Sequence, residues 1–334
     1  MPAPEYGLIT IGNALVDCLA KTDEEYINAQ KQSHGMEKGS MNLVDAQRAL
    51  ALYDDMIEPV EMSGGSAGNT MACYASFGGI GSYIGKVADD ALGKTFIHSL
   101  RDMKVGFNTT PLAGEISTGR CMILVTPDGE RTMNTYLGAA VELTPDDIDE
   151  DFIAKGEVIY LEGYLFDPPK AMEAYIKAAR VAHKAGRRVA LTLSDSFCVH
   201  RHREAFKDLV SYHTDILFAN EDEIKALYET DDLEAAIDIA QNQCAIVAIT
   251  RGDKGSIIIN SGQRTEVTAE ADVNVIDTTG AGDSYAAGFL YGFTQKMDML
   301  QCGRLGSIAA AEVIAQMGPR PSTNLAELYK KKVA

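Results

Sequence analysis

The 334-residue chain has no tryptophan and little positive charge, since 30 Lys and Arg residues stand against 48 Asp and Glu. The formal net charge is −18. A protein that binds nucleic acid normally presents a basic face, and here the largest basic run is Lys330-Lys331-Lys332. The composition therefore argues against a nucleic-acid partner, and the basic run is interpreted as a solvent-exposed helix end.

Long apolar runs and paired cysteines are also missing. No apolar stretch approaches the roughly 18 residues that a membrane span requires, and the first residues, MPAPEYGLITIGN, lack the basic and apolar regions of a signal peptide. The six cysteines are scattered and form no C-x-x-C pair, which is typical of a reduced compartment and excludes the common zinc-ligand spacings. We expect a cytoplasmic protein without membrane contact.

The hydrophobic content of 46% is enough for a full core. From residue 157 onward, apolar strand patterns alternate with helical ones, which predicts a parallel sheet covered on both faces. Earlier, residues 117–140 contain two strand patterns around Pro127-Asp128-Gly129, a strong hairpin signal. The sequence predicts one domain over residues 1–334, a three-layer α/β/α Rossmann-like core with a small β-sheet lid from roughly 17–63 and 112–140.

The most specific motif is NVIDTTGAGDSYAAGFLYGF at residues 274–293, read as a short strand ending at Asp277, a turn, and a helix. Gly280 and Gly282 let successive backbone N–H groups converge at a helix start, which makes a cradle for an anion. Asp283 lies inside that cradle, where it could act as a general base towards a hydroxyl that attacks phosphorus. The alternative is that Asp283 only caps the helix.

A second glycine-rich motif, GGSAGNTMACYASFGG, covers residues 64–79. Gly64 and Gly65 permit close approach of a ligand to the backbone, and Asn69 offers a donor and an acceptor to a diol. The alternative is an ordinary turn and helix start. A third stretch, ADDALGKT at 88–95, comes close to a phosphate-binding P-loop, but Ala88 stands where the first glycine is required.

The two glycine-rich motifs together resemble the signatures of the ribokinase family of carbohydrate kinases, the PfkB group, and the resemblance extends over nearly the whole chain. Within that family the sequence is similar to the bacterial adenosine kinase-like branch, on GNALVD (12–17), EKGSMNLVD (37–45) and GRCMILVTPDGERTMNTYLGA (119–139). The resemblance implies a ribokinase-like fold with a lid. It also implies transfer of the γ-phosphate of ATP, with Mg²⁺, to a hydroxymethyl group of a sugar or nucleoside.

The resemblance also implies roles for individual residues, which divide into a catalytic group, an acceptor group and a nucleotide group. The catalytic group is the base Asp283 with the anion hole Gly280, Ala281 and Gly282; the acceptor hydroxyls fall to Asn13, Asp17, Gly64, Gly65 and Asn69. Asn220 and Glu223 would organise Mg²⁺ and phosphate through water, Ser194 would contact phosphate, and Thr250, Gly252 and Gly255 would line the ATP site. Ser307 would lie beside the adenine, where relatives often have His or Asn. Asp277 and Thr279 mark a possible site for a monovalent cation such as K⁺.

The acceptor is less sharply defined. Asp17 should disfavour an acceptor that already carries phosphate, and the methionines expected near the lid suit a flat base, although they could equally be lid core: Met36, Met41, Met62, Met122 and Met133. Adenosine is the first expectation, with ribose, a fructose-type sugar or guanosine as alternatives. Arg120 or Arg131 in the pocket would favour a phosphosugar. A nucleoside-binding regulator without catalysis is the alternative from another class, and the chain is expected to be a monomer or a homodimer.

Overall fold

The computed structural model describes residues 3–166 and 169–333. The strands are β1 Tyr6–Ile11, β2 Leu15–Lys21, β3 Met41–Leu43, β4 Val60–Ser63, β5 Gly81–Ile84, β6 Gly106–Phe107, β7 Gly119–Val125, β8 Arg131–Tyr136, β9 Gly156–Glu162, β10 Arg188–Thr192, β11 Ile216–Asn220, β12 Ile246–Thr250, β13 Ser256–Asn260 and β14 Gln263–Val267. The helices are α1 Glu24–His34, α2 Ala46–Asp55, α3 Ser66–Ser76, α4 Ala91–Asp102, α5 Glu150–Ile153, α6 Pro169–Lys184, α7 Ser196–His213, α8 Glu221–Tyr228, α9 Leu233–Gln243, α10 Ala281–Thr294, α11 Met299–Ile314 and α12 Leu325–Val333.

The larger sheet forms the centre of the molecule. Within the described residues it has nine strands in the order β14-β13-β12-β11-β10-β9-β1-β5-β6. The strands from β12 to β6 run parallel to their neighbours, and β13 and β14 are antiparallel. Because side chains alternate along a strand, Ile9 and Ile159 pack under α6 while Leu8 and Val158 pack under α10. The prediction of a three-layer α/β core is confirmed.

A second sheet lies beside the core. In the described part of the chain it has five strands in the order β3-β8-β7-β2-β4. Four of them lie within the two segments predicted to form a lid, roughly 17–63 and 112–140, and β2 begins just before the first segment, at Leu15. Met122 and Leu124 of β7 point to one face, where they pack with Ile27 and Leu52 of α1 and α2. The intervening residues of β7 therefore point to the opposite face. That this sheet acts as a lid stays a prediction.

Most helices begin in the same way, with a side chain that satisfies a backbone N–H of the first turn. These capping residues are Asp23, Asp45, Asp90, Asp149, Asp195, Asn220, Asp232 and Asp298. Helices α3 and α10 differ, because they begin at Gly65 and Gly280, which carry no capping side chain. The amides of these two helix starts are thereby left to other partners.

The predicted strand ending at Asp277 is wrong. Residues 273–278 form no strand, and the amides of Ile276 and Asp277 donate to the carbonyl of Ile314 at 2.8 and 3.2 Å. Val275 and Ile276 are 56% and 49% exposed. The segment pairs with the end of α11 rather than with the sheet, so its apolar residues stay at the surface.

Across the residues that the structure describes, no helix is long and apolar enough to cross a membrane.

Candidate active site

A cavity of about 570 Å³ lies between the two sheets. Thr192, Asn220 and Thr250 line it from the last positions of β10, β11 and β12. Ligands of open parallel sheets bind at this carboxyl-terminal edge, and the volume is in the range of small-molecule sites. The starts of α3 and α10 line the same cavity, which therefore brings together both glycine-rich motifs.

The second sheet supplies an apolar wall, formed by Leu15, Met41, Leu43, Ile123 and Met133. Met41 and Met133 thus face the ligand space as the sequence suggested. Met36 and Met122 do not, because they are buried in the separate core under α1 and α2. Met62 also lies outside the lining of the cavity.

Asp283 lies at the base of the cavity, three residues after Gly280, the N-cap of α10. The alternative that Asp283 is itself the helix cap is therefore excluded. Its Oδ1 accepts a hydrogen bond from Ser66 Oγ at 2.6 Å, and its Oδ2 accepts one from Asn69 Nδ2 at 3.2 Å. Burial raises the pKa of Asp283 to about 6, against the opposing effects of these hydrogen bonds and of the positive charge of Arg320.

The turn before α10 is shaped by Gly280. Its φ of 78° is in the left-handed region, and a Cβ there would lie 2.7 Å from Pro319. A Cβ at Gly282 would meet nothing within 4 Å, so this position opens to the cavity. The N–H of Ala281 already donates to the carbonyl of Thr278 at 3.2 Å. The anion hole over residues 280–282 stays a prediction, now with one of its three amides engaged.

Asp17 and Asn13 line the acceptor side and are 7% and 2% exposed. The glycine pair explains how they fit: a Cβ at Gly64 would lie 2.2 Å from Cγ of Asp17, and one at Gly65 would lie 2.3 Å from the carbonyl oxygen of Asn13. Gly64 itself does not line the cavity. Burial raises the pKa of Asp17 to about 6; Arg320 and Arg131 oppose this rise, and Asp283 adds to it.

Glu162, which the sequence analysis missed, holds Asn13 in place. One carboxylate oxygen accepts from Asn13 Nδ2 at 2.8 Å and from its backbone N–H at 3.3 Å, and the other accepts from the N–H of Ala67 at 2.8 Å. Burial raises the pKa of Glu162 to about 7. Oδ1 of Asn13 is buried without a partner among the described residues, which leaves an acceptor for a ligand hydroxyl. The available signal was a carboxylate in an otherwise apolar strand pattern.

The opposite end of the cavity holds Asn220 and Glu223. Asn220 caps α8, and both oxygens of Glu223 accept from the backbone N–H and side-chain Nδ2 of Asn220, at 2.9 and 2.7 Å. Burial, followed by repulsion from Asp195 and Asp222, raises the pKa of Glu223 to about 7. This carboxylate suits a cation, but its occupied oxygens favour contact through water. No trio of His, Cys, Asp or Glu able to hold a metal ion occurs within residues 3–166 and 169–333.

Ser194 also lines this end, with φ of 70° and a buried Oγ that has no partner within the described residues. Tyr164 and Asp195 line the same end of the cavity. Arg201, which was not predicted from the sequence, also lines it and brings a positive charge. Gly252, Gly255 and Ser307 lie outside the lining, and their contacts with the nucleotide stay predictions.

Asp277 lies outside the cavity lining, whereas Thr279 lies within it. The Asp277 carboxylate accepts from the N–H groups of Thr279 and Gly318 at 3.0 and 2.9 Å, and Arg131 Nε lies 3.1 Å from it. The monovalent-cation site stays a prediction. The Asp277 carboxylate already has a positive neighbour, the guanidinium of Arg131. Neither Arg131 nor Arg120, whose guanidinium lies 5.6 Å from the ring centre of Tyr53, lines the cavity, so the condition set for a phosphosugar is not met.

The chain is similar to several known proteins along most of its length. The profile of the pfkB family of carbohydrate kinases matches residues 49–325. The structure of an adenosine kinase from Sinorhizobium meliloti is 49% identical, with a TM-score of 0.89 over 99% of this chain and 100% of that one. A probable sugar kinase from Rhizobium etli CFN 42 is 46% identical, with a TM-score of 0.90 over 99% of both chains.

Among curated proteins, an adenosine kinase from Saccharomyces cerevisiae is 28% identical over 96% of this chain and 97% of its own length. Other matching relatives are named for different acceptors, 5-dehydro-2-deoxygluconate and guanosine or inosine. The ribokinase-like fold and the kinase activity implied by the motifs are thereby confirmed. The chain belongs to the pfkB family of carbohydrate kinases, and it is a phosphotransferase that acts on an alcohol group of a sugar or nucleoside.

Proposed function

We propose that the chain transfers the γ-phosphoryl group of ATP to the 5′-hydroxyl of a nucleoside, with adenosine as the preferred acceptor. The observation that carries this proposal is the apolar wall of the second sheet, which stands beside Asp17 and Asn13. A purine would bury a large flat surface on that wall, at roughly 25 cal/mol per Å² of apolar area. Ribose alone would keep the hydroxyl contacts and lose this burial.

The ribose hydroxyls would lie against Asp17, Asn13 and Asn69, whose side chains offer acceptors and donors of the kind that a diol requires. The contact between Ser66 and Asp283 supports proton abstraction by Asp283, because the Ser66 hydroxyl donates to Asp283 Oδ1 at 2.6 Å. A hydroxyl can therefore reach this carboxylate with the geometry that proton abstraction requires. The 5′-hydroxyl of the acceptor would make the same kind of contact.

In the transfer step, the 5′-oxygen forms a bond to the γ-phosphorus while the bond from that phosphorus to the bridging oxygen breaks and ADP leaves. Asp283 takes the hydroxyl proton. The start of α10, with no side-chain cap at Gly280, turns the positive end of its dipole towards the transferring group. Mg²⁺, when bound, neutralises charge on the phosphates, and Asn220 and Glu223 would hold it through water.

Arg201, Ser194 and Thr250 line the nucleotide end, where they would contact the phosphate chain. The wall over the acceptor is lined by no Lys or Arg within the described residues. Together with the carboxylate of Asp17, this disfavours an acceptor that already carries a phosphate, because like charges repel strongly in a closed site. Guanosine is the second candidate, since it would use the same wall.

The test is an ADP-release assay with nucleosides and sugars, in which the product is identified by mass spectrometry. Asp283→Asn should lower the turnover of adenosine about 10²–10⁴-fold, because a general base is lost, while ATP binding is retained. A variant that keeps half of the wild-type rate would show that Asp283 is not the base. Release of ADP without a phosphorylated nucleoside would rule out the proposed acceptor.

A further inference from the structure

Arg320 lies in the segment between α11 and α12, next to Pro319, which lines the cavity. Its Nη1 donates to Ser63 Oγ at 2.9 Å and its Nε donates to Asn69 Oδ1 at 3.2 Å. Its Nη2 is buried without a partner among the described residues. Arg320 does not itself line the cavity, so it can influence a ligand only through the residues that it holds or through its charge.

Asn69 is the first of those residues. Its side-chain amide has an acceptor end and a donor end, and only one orientation satisfies both neighbours. With Oδ1 occupied by Arg320, Nδ2 points to Asp283 Oδ2 at 3.2 Å. The reverse orientation would place the amide NH₂ against the donors of a guanidinium, which can only donate. Arg320 therefore fixes the orientation in which Asn69 contacts Asp283.

Charge is the second route of influence. Asp17 and Asp283 are two buried carboxylates, and the pKa of each is raised by burial and lowered by the charge of Arg320. Without that charge, both carboxylates would hold their protons to a higher pH. The other titratable or charged groups that face this pair come from several elements: Cys18, Cys73, Cys121, Arg131, Tyr160, Glu162, Tyr164 and Glu223.

We propose that Arg320 is a positioning residue for phosphoryl transfer, which orients Asn69 towards Asp283 and supplies the positive charge that offsets the two carboxylates. The inference rests on the proposed function, since that function makes Asp283 the base. Arg320 lies almost 40 positions after the turn at Gly280–Gly282, and it belongs to neither glycine-rich motif.

The first measurement is the pH dependence of kcat and of kcat/KM for adenosine in Arg320→Met. We expect kcat to fall about tenfold to a hundredfold, as for a misaligned reacting group, with the KM for ATP within about twofold of wild type. The acid limb should move to higher pH, because the offsetting charge is gone. Arg304→Met, at an exposed arginine of α11, is the control and should leave both unchanged.

The second measurement is a double-mutant cycle with Asn69→Ala, in which the kcat of each variant is measured where it no longer rises with pH. If Arg320 acts on kcat through Asn69, Arg320→Met should lower kcat by less than about threefold in the Asn69→Ala background. If the losses of kcat in Arg320→Met and Asn69→Ala are fully additive, Arg320 does not act through Asn69. An unmoved acid limb in Arg320→Met would overturn the charge role.

If Arg320→Met does not fold, Arg320→Lys tests the same two roles of Arg320. It keeps the charge but not the geometry of the Nε contact, so kcat should fall while the acid limb stays in place. Wild-type kcat, or a limb displaced to higher pH, would contradict the proposal. Failure of the underlying function is distinct, because wild-type protein would then phosphorylate no nucleoside, or Asp283→Asn would remain active.

Discussion

Four of the carboxylates that line the cavity, in the described part of the chain, have a pKa that burial raises. The values are about 6 for Asp17 and Asp283 and about 7 for Glu162 and Glu223. Burial is the largest cause in every case, because a charge loses its hydration in a low-dielectric site. Groups with such shifted pKa values cluster at functional sites, and here they ring one cavity.

A defined pH dependence follows for Asp283. As a base it must be ionised, and its protonated form increases as the pH falls through about 6. We therefore predict that kcat at saturating MgATP declines below about pH 6 and is level above it. Asp17→Asn should keep an acid limb in kcat, at the same or a lower pH, because Asp283 still titrates and has lost a negative neighbour. A kcat that stays constant down to pH 5, in protein shown to remain folded, would contradict the assignment of the base.

At the scale of elements, two helices carry the site, and both begin at a glycine with positive φ. The remaining capped helices use Asp or Asn side chains for their first-turn amides, whereas α3 and α10 leave these amides directed at neighbours or the cavity. The position of Gly65 and Gly280 is also constrained by space, since Asn13 and Pro319 occupy the volume that a Cβ would need.

Gly65→Ala and Gly280→Ala should each lower kcat by at least about tenfold, since the backbone at either helix start must shift. Gly35→Ala is the matched control, with a similar φ of 68° and nothing within 4 Å of the added Cβ. It should show only the left-handed conformational cost of about 1–2 kcal/mol, seen in thermal unfolding, with kcat within about twofold of wild type. Equal loss of kcat in all three variants would reject the steric argument.

The second sheet contributes through its exposed apolar face. Leu43 lines the cavity and is 56% exposed, whereas Leu50 on α2 is 51% exposed and lies outside it. Leu43→Ala should raise the KM for adenosine about threefold to tenfold, from loss of buried CH₂ groups at about 0.8 kcal/mol each. Leu50→Ala should not. Because ribose does not reach the wall, its KM should be unaffected, and an equal rise for both acceptors would show that Leu43 only supports the fold.

At the scale of the whole molecule, the site joins residues that are far apart in the chain. The glycine-rich motifs could be recognised from sequence because each is a local pattern, and they predicted roles for Asp283 and Asn69, which both line the cavity. Glu162 and Arg320 were missed because their roles depend on partners 149 and 251 residues away. No local spacing encodes such contacts.

The same limit explains the wrong strand before Asp277. An apolar pattern predicts a strand only if a sheet is there to bury it, and the chain places Val275 and Ile276 at the surface beside the end of α11. By contrast, the alternation of strands and helices after residue 157 predicted the parallel core correctly. There the pattern repeats over many elements, and each repeat supports the next.

The most direct test of the account compares acceptors under saturating MgATP. We predict that kcat/KM for adenosine exceeds that for guanosine, and that both exceed the values for ribose and for fructose 6-phosphate. The apolar wall favours a nucleoside over a free sugar, and the carboxylate of Asp17 opposes an acceptor phosphate. Faster turnover of ribose or fructose 6-phosphate than of adenosine would contradict the proposed acceptor and leave only the family-level kinase activity.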